Sequence, residues 1–143
     1  MLVEAIMQTG VATVDRDHTA LRAARLMREK NVGSVVVVDE KGRPVGMVTD
    51  RDLAVKVLAE GKNPETPVDE IMSHPVFAVS QDALVFDILR EMARRHVHRM
   101  PVIDGDSKVL IGVVTAEDAL MLLTTELANI SEVMSHARPS RGA

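Results

Sequence analysis

Val45-Gly46-Met47-Val48-Thr49-Asp50-Arg51-Asp52 and, 66 positions later, Ile111-Gly112-Val113-Val114-Thr115-Ala116-Glu117-Asp118 follow one pattern. Each reads apolar residue, glycine, two apolar residues, threonine, two variable residues, aspartate. The apolar run before the threonine predicts a strand, and Thr-x-x-Asp predicts a helix start with threonine at the N-cap and aspartate at the third helical position. Upstream, the matches continue at a spacing of 65: Val14 with Val79, Asp17 with Asp82, Met27 with Met92, Val32 with Val97, and Asp39 with Asp104. The second copy therefore carries one extra residue before its motif. A period this long marks a duplicated subdomain, since stacked solenoids repeat at shorter intervals.

The elements of one copy follow from the same outward reading. Asp17 or Thr19 can cap a helix whose apolar positions Ala20, Ala23, Ala24 and Met27 recur at helical intervals, with Asn31 as its stop. In the second copy the same face is Leu84, Val85, Ile88, Leu89 and Met92. Ser34-Val35-Val36-Val37-Val38 is β-branched, too short for a helix and apolar on both faces, as a buried strand requires. Lys41-Gly42-Arg43-Pro44 predicts a turn, Val45–Thr49 the returning strand, and Asp50–Glu60 a second helix ended by Gly61. The fold class is α+β, α/β-like: two β-α-β-β-α subdomains packed sheet to sheet with pseudo-two-fold symmetry. Each is roughly 60 residues, too small to bury much apolar surface alone, so the halves are expected to share a core and leave clefts where they meet.

This divides the chain into a first copy over 1–61, a linker over 62–67, a second copy over 68–128 and a tail over 129–143. Val3-Glu4-Ala5-Ile6-Met7 and Val68-Asp69-Glu70-Ile71-Met72 resemble each other and predict short lead-in helices. Ile130-Ser131-Glu132-Val133-Met134 is a third version, expected to form a short helix that closes the end or docks on a partner.

Composition narrows the function. Apolar residues make up 46% and charged residues 27% of the 143 residues, an ordinary globular balance. No apolar run reaches the roughly 18 residues of a membrane span, so the expectation is a soluble, cytoplasmic protein. Phe77 and Phe86 are the only aromatic residues and the net charge is -4. A reader of single-stranded nucleic acid needs stacking rings and a basic face, so that class is disfavoured. The chain has no cysteine, which excludes disulfides and thiolate chemistry. No nucleophile–base set and no phosphate-cradling glycine loop is visible, so the chain is not expected to be an enzyme.

The repeated motif has two readings. Thr-x-x-Asp is close to a capping box, which merely satisfies the free backbone donors of a helix start. The same geometry offers free N–H groups and a positive dipole end to a phosphate, with the Thr hydroxyl as a further donor and the Asp carboxylate as acceptor for two ribose hydroxyls. Gly46 and Gly112 would then let a ligand approach the backbone closely. His96 and His98 fall short of a metal site, which needs three or four ligands, so no metal is expected. A basic helix end accounts for His96-Val97-His98-Arg99 equally well.

Over about Glu4 to Leu127 the chain resembles the cystathionine-β-synthase-type (CBS) domain pair, or Bateman module, of the stand-alone prokaryotic type. The strings VGSVVVVDEKGRPVGMVTDRDL and HVHRMPVIDGDSKVLIGVVTAEDAL carry the resemblance. It implies that Thr49 and Thr115 lie near phosphate and that Asp52 and Asp118 hold ribose. It places adenine against backbone and aliphatic side chains over Val11–Thr13 and Phe77–Val79, so Val11, Thr13, Phe77 and Ala78 are candidates. It makes His98 and Arg99 phosphate contacts. In the first copy Gly33-Ser34 stand in their place and Arg51 is the available cation, whereas Glu117 replaces Arg51 in the second copy. The two sites are therefore expected to be unequal.

The resemblance implies a regulatory module for AMP, ADP or ATP, with no other cofactor. The alternative is a ligand-free structural or interaction module whose motifs are only caps. The apolar run Ala119-Leu120-Met121-Leu122-Leu123 and the family's habit of pairing through its helices predict a homodimer. Because the repeats consume almost every residue, any regulated effector is expected to be a separate protein.

Overall fold

Thr19 and Thr49 begin the two helices of the first copy as capping residues, and the elements between them follow the predicted order. In the computed structural model, which describes residues 1–137, the first copy runs β1 (Thr13–Asp15), α1 (Ala20–Lys30), β2 (Ser34–Val38), β3 (Pro44–Thr49) and α2. Helix α2 is an α-helical turn at Asp50–Asp52 that continues as π-helix over Leu53–Leu58. The second copy runs β4 (Val79–Ser80), α3 (Val85–Arg95), β5 (Arg99–Ile103), β6 (Leu110–Thr115) and α4 (Ala116–Ala137).

Each copy forms its own three-stranded sheet, ordered β1-β2-β3 and β4-β5-β6. In both, the first pair is parallel and the second antiparallel, with an irregularity at the same place, Val37/Val38 and Val102/Ile103. The parallel pair needs a crossover, which α1 and α3 supply. Both crossover helices end alike: Asn31 at φ 52 and His96 at φ 56 close them in the left-handed region. The turns after the central strands locate the extra residue. Asp39 N–H donates to the Arg43 carbonyl, whereas Asp104 N–H reaches one position further, to Val109. Gly42 takes φ 78 in the first turn and Lys108 takes φ 63 in the second.

The core is double. Ala20, Ala23 and Met27 of α1 pack on Val14, Val35, Val37 and Val48, while Val85, Ile88 and Met92 of α3 pack on Val79, Met100, Val102 and Val114. Val36 and Pro101, on the opposite faces of the central strands, are buried too. Both faces of each central strand are thus covered, as its unbroken apolar run demands.

The lead-in segments are exchanged. Val3 N–H donates to the Ala83 carbonyl at 2.8 Å and Val3 is buried in the core of the second copy. Val68 N–H donates to the His18 carbonyl at 2.8 Å, and Val68, Ile71 and Met72 complete the core of the first copy. Each lead-in thus seals the sheet of the other copy. They are also shorter than expected, single 3-10 turns at Val3–Ala5 and Val68–Glu70. The linker is bound as well, since the Thr66 and Pro64 carbonyls accept from the Ala20 and Leu21 N–H groups at the start of α1.

The C-terminal stretch differs from expectation. Ile130–Met134 is no separate helix; α4 runs unbroken through it, because neither glycine nor proline interrupts Ala116–Ala137. The tail beyond Ala137 lies outside the described residues. No helix among the described residues is long and apolar enough to cross a membrane.

Candidate functional site

The two motifs form complete capping boxes. Thr49 Oγ1 accepts from Asp52 N–H at 3.1 Å and Asp52 Oδ2 accepts from Thr49 N–H at 2.9 Å. Thr115 and Asp118 repeat this at 3.1 and 3.0 Å. The second oxygen of each carboxylate is also engaged. Asp52 Oδ1 pairs with Lys56 Nζ at 3.1 Å, and Asp118 Oδ1 accepts from Gln8 Nε2 at 2.9 Å. For either carboxylate to hold a ribose it must first release one of these partners.

Gly46 and Gly112 serve packing in this structure. A Cβ on Gly46 would lie 2.8 Å from Met72 Cγ, and one on Gly112 would lie 2.8 Å from Met7 Sδ and 2.9 Å from the Gln8 carbonyl. What approaches these glycines is the methionine that ends each exchanged lead-in, where the sequence suggested a ligand.

Between the copies lies a cavity of about 670 Å³, within the range of small-molecule sites. The first copy contributes Met47, Thr49, Asp50 and Arg51. The second contributes Val76, Phe77, Arg95, His96, His98, Arg99 and Glu117. Three arginines and two histidines thus face two carboxylates, a local excess of positive charge in an acidic chain. Among the described residues neither Arg51 nor Arg99 has a carboxylate within ion-pair distance. Gly33 leaves room for Arg99: a Cβ there would lie 3.4 Å from Arg99 Nη1 and 3.3 Å from Asp50 Oδ2. The start of helix α2, with Thr49 at its cap, opens into the same space.

The cavity sorts the sequence candidates. It collects Thr49, Arg51, Phe77, His98 and Arg99. Asp52, Gly46, Ala78, Val11, Thr13, Gly112, Thr115 and Asp118 are not on its lining. Thr13 faces a different groove, with Arg22 and Glu29 of α1. Glu117, expected to burden a second site, lines this one together with Arg51.

Arg95 was missed. Its guanidinium lies 3.6 Å from the centroid of the Phe77 ring, a cation–π contact at the cavity wall. It also pairs with Glu91, which Arg94 shares, and these two hydrogen-bonded cations hold the Glu91 carboxyl below its ordinary value. Only a long-range contact reveals Arg95, since its place at the end of α3 equally describes a cation favoured by the helix dipole. The sequence offers Asp17 as a helix cap and leaves Asp15 and His18 unremarked, yet the ligand atoms of all three lie within 4.8 Å of one another. His18 Nδ1 accepts from Asp15 N–H at 2.9 Å, a contact that accounts for its orientation.

Comparison with known proteins agrees with this architecture. The profile of the CBS domain matches residues 3–59 and again 68–125. The chain belongs to the CBS domain family and carries two such domains in tandem. It is 39% identical over 130 residues to uncharacterized protein MK0525 of Methanopyrus kandleri, covering 90% of this chain and 66% of that protein. It is 36% identical to the CBS domain-containing protein YhcV of Bacillus subtilis, covering 90% and 88%. The crystal structure of the CBS domain pair of protein MJ0100, in complex with 5'-methylthioadenosine and S-adenosyl-L-methionine, superimposes with a TM-score of 0.79 at 28% identity, covering 88% of this chain and 98% of that one.

Proposed function

We propose that this CBS pair is a non-enzymatic regulatory module that binds an adenine nucleotide, AMP, ADP or ATP, in the cavity between its two copies. The observation that carries the reading is the meeting of the Thr49 helix start and Arg51 from one copy with Phe77, His98 and Arg99 from the other. The Asp50, Arg51 and Asp52 N–H groups of this helix start are held by the Gly33 carbonyl, Asp50 Oδ1 and Thr49 Oγ1. What draws a phosphate here is therefore the positive end of the helix and an unpaired arginine that can grip it through two parallel bonds. The Phe77 ring and the aliphatic Val76 and Met47 offer an apolar wall for a base. The complex of protein MJ0100 with two adenosine-containing ligands supports the ligand class. The ribose roles of Asp52 and Asp118 then require each to exchange a present partner for the sugar. The excess of positive charge in this cavity makes it the stronger of the two expected sites.

In this reading the module works as a homodimer and reports ligand to a separate effector protein. Titration calorimetry against AMP, ADP, ATP and their guanine counterparts tests it. Adenine nucleotides should bind, and Arg99→Ala should weaken them about tenfold, the loss of one charge-assisted contact. Absence of heat and of any thermal shift at millimolar nucleotide would leave the capping boxes as structural devices and favour the ligand-free interaction module.

A further inference from the structure

Helix α4 leaves the body of the protein before it ends. Ala119 is buried and Leu122 packs on the second core, but every residue from Thr124 to His136 is exposed. This length is roughly 20 Å of helix. An isolated helix of this length is marginal in water, and among the described residues nothing covers it.

Its apolar residues have a particular spacing. Leu120, Leu127 and Met134 stand seven apart, and Leu123 and Ile130 stand three residues after the first two. These are the a and d positions of consecutive heptads, a period of 3.5 that keeps one seam turned toward a like helix. Leu120, Leu127, Ile130 and Met134 are 63%, 67%, 58% and 62% exposed, while Leu123 is half-buried, so the seam is open from Leu127 to Met134. The only carboxylates on the exposed stretch are Glu126, beside the seam, and Glu132, on the outer side. Neither interrupts the apolar line.

We infer that the exposed half of α4 pairs along this seam with α4 of a second copy of the chain, as a short coiled coil. With Val133 beside them, these side chains offer on the order of 500 Å² per copy. Roughly 1,000 Å² across both copies reaches the lower bound for a specific interface. A heptad seam is complementary to itself, and a closed two-fold pair satisfies both copies at once. The inference refines the homodimer proposed above by giving its contact surface, and it does not depend on a nucleotide.

The test uses the full chain. Light scattering at micromolar concentration should give twice the 15.6 kDa chain mass, and Leu127→Glu or Ile130→Glu should halve it while nucleotide binding and the cooperative melt of the body persist. Because the chain has no cysteine, Leu127→Cys and Ile130→Cys can be joined by a short bismaleimide. Thr125→Cys, on the outer side, should not be joined. A dimer mass retained in both glutamate variants, or equal cross-linking at Thr125, would place the contact elsewhere and overturn the seam alone. A monomeric wild-type chain would overturn the homodimer as well.

Discussion

Gly112→Ala is the sharpest test of what the motif glycines do. The added methyl carbon would stand 2.8 Å from Met7 Sδ and 2.9 Å from the Gln8 carbonyl oxygen. The thioether can swing aside; the carbonyl cannot, because it accepts Val113 N–H at 2.9 Å while Gln8 N–H donates to the Val113 carbonyl at 2.8 Å. Loss of glycine's unfolded-state freedom favours alanine by about 0.4–1 kcal/mol. Overpacking costs about 1–3 kcal/mol, and stretching the paired backbone adds about 1 kcal/mol. The balance is a destabilisation of about 2 kcal/mol, or roughly 6–8 °C in Tm for a chain of this length. Scanning calorimetry of the nucleotide-free protein reads it directly. A Tm equal to or above wild type would refute the packing argument and return these glycines to a ligand. At Gly46 the obstruction is Met72, whose Cγ and Cβ would lie 2.8 and 3.1 Å away and whose neighbour Ser73 is paired with Met47, so Gly46→Ala should cost about as much. Combined with Met72→Ala, it should give less than the sum of the two single effects.

Three further outcomes follow from the site and its surroundings. Thr49→Ala and Thr115→Ala each remove a cap and should cost about 1 kcal/mol in chemical denaturation, but only Thr49→Ala should also weaken nucleotide in calorimetry. Arg95→Ala frees the face of Phe77, and its effect on adenosine and on AMP should differ in sign if the guanidinium covers the base platform and also meets phosphate; equal effects on both would argue against that double role. Asp39 and Asp104 are held below the ordinary aspartate value of 3.8, chiefly by the backbone N–H groups of Arg43 and Ser107 respectively. Depressed carboxylates stabilise above their unfolded value and lose that contribution as pH falls through the folded one. The protection factors of the Arg43 and Ser107 amides, exchange rates corrected for the intrinsic effect of pH, should therefore fall below about pH 4 before the sheets open. Unchanged protection until global unfolding would contradict this.

Much of the fold was legible because it is local and stated twice. Thr19, Asn31 and the valine run of β2 identify themselves by spacing and residue type, and their counterparts in the second copy repeat the message. The short lead-ins were read as helices because Val-Glu-Ala-Ile-Met has helical composition; long-range hydrogen bonds from Val3 to Ala83 and from Val68 to His18 hold them as single turns instead. Their exchange between copies was illegible, since nothing in either segment says which sheet it covers. At the site, Thr49, Arg51, Phe77, His98 and Arg99 were foreseen and meet in one cavity. Asp52 was foreseen by chemistry, yet its carboxylate is occupied by Lys56, four residues on, a competitor visible in the sequence at ion-pair spacing. At Gly46 and Gly112 the near neighbours are Met72 and Met7, which the sequence could not name, because a glycine in a strand reports a close neighbour without saying whether it is ligand or protein.

The exchanged lead-ins give the duplication a mechanical meaning. A chain of two repeats could act as two beads on a string, each opening alone. Here each repeat is closed by a piece of the other, and the linker carbonyls of Pro64 and Thr66 occupy the first free donors of α1. Opening either sheet strips core residues from both its own repeat and the borrowed segment, so the halves should melt in one transition. A protease nick within Lys62–Pro67 should leave two fragments that stay interlocked. Any molecule that wedges into the cavity between them then pushes on the whole chain at once.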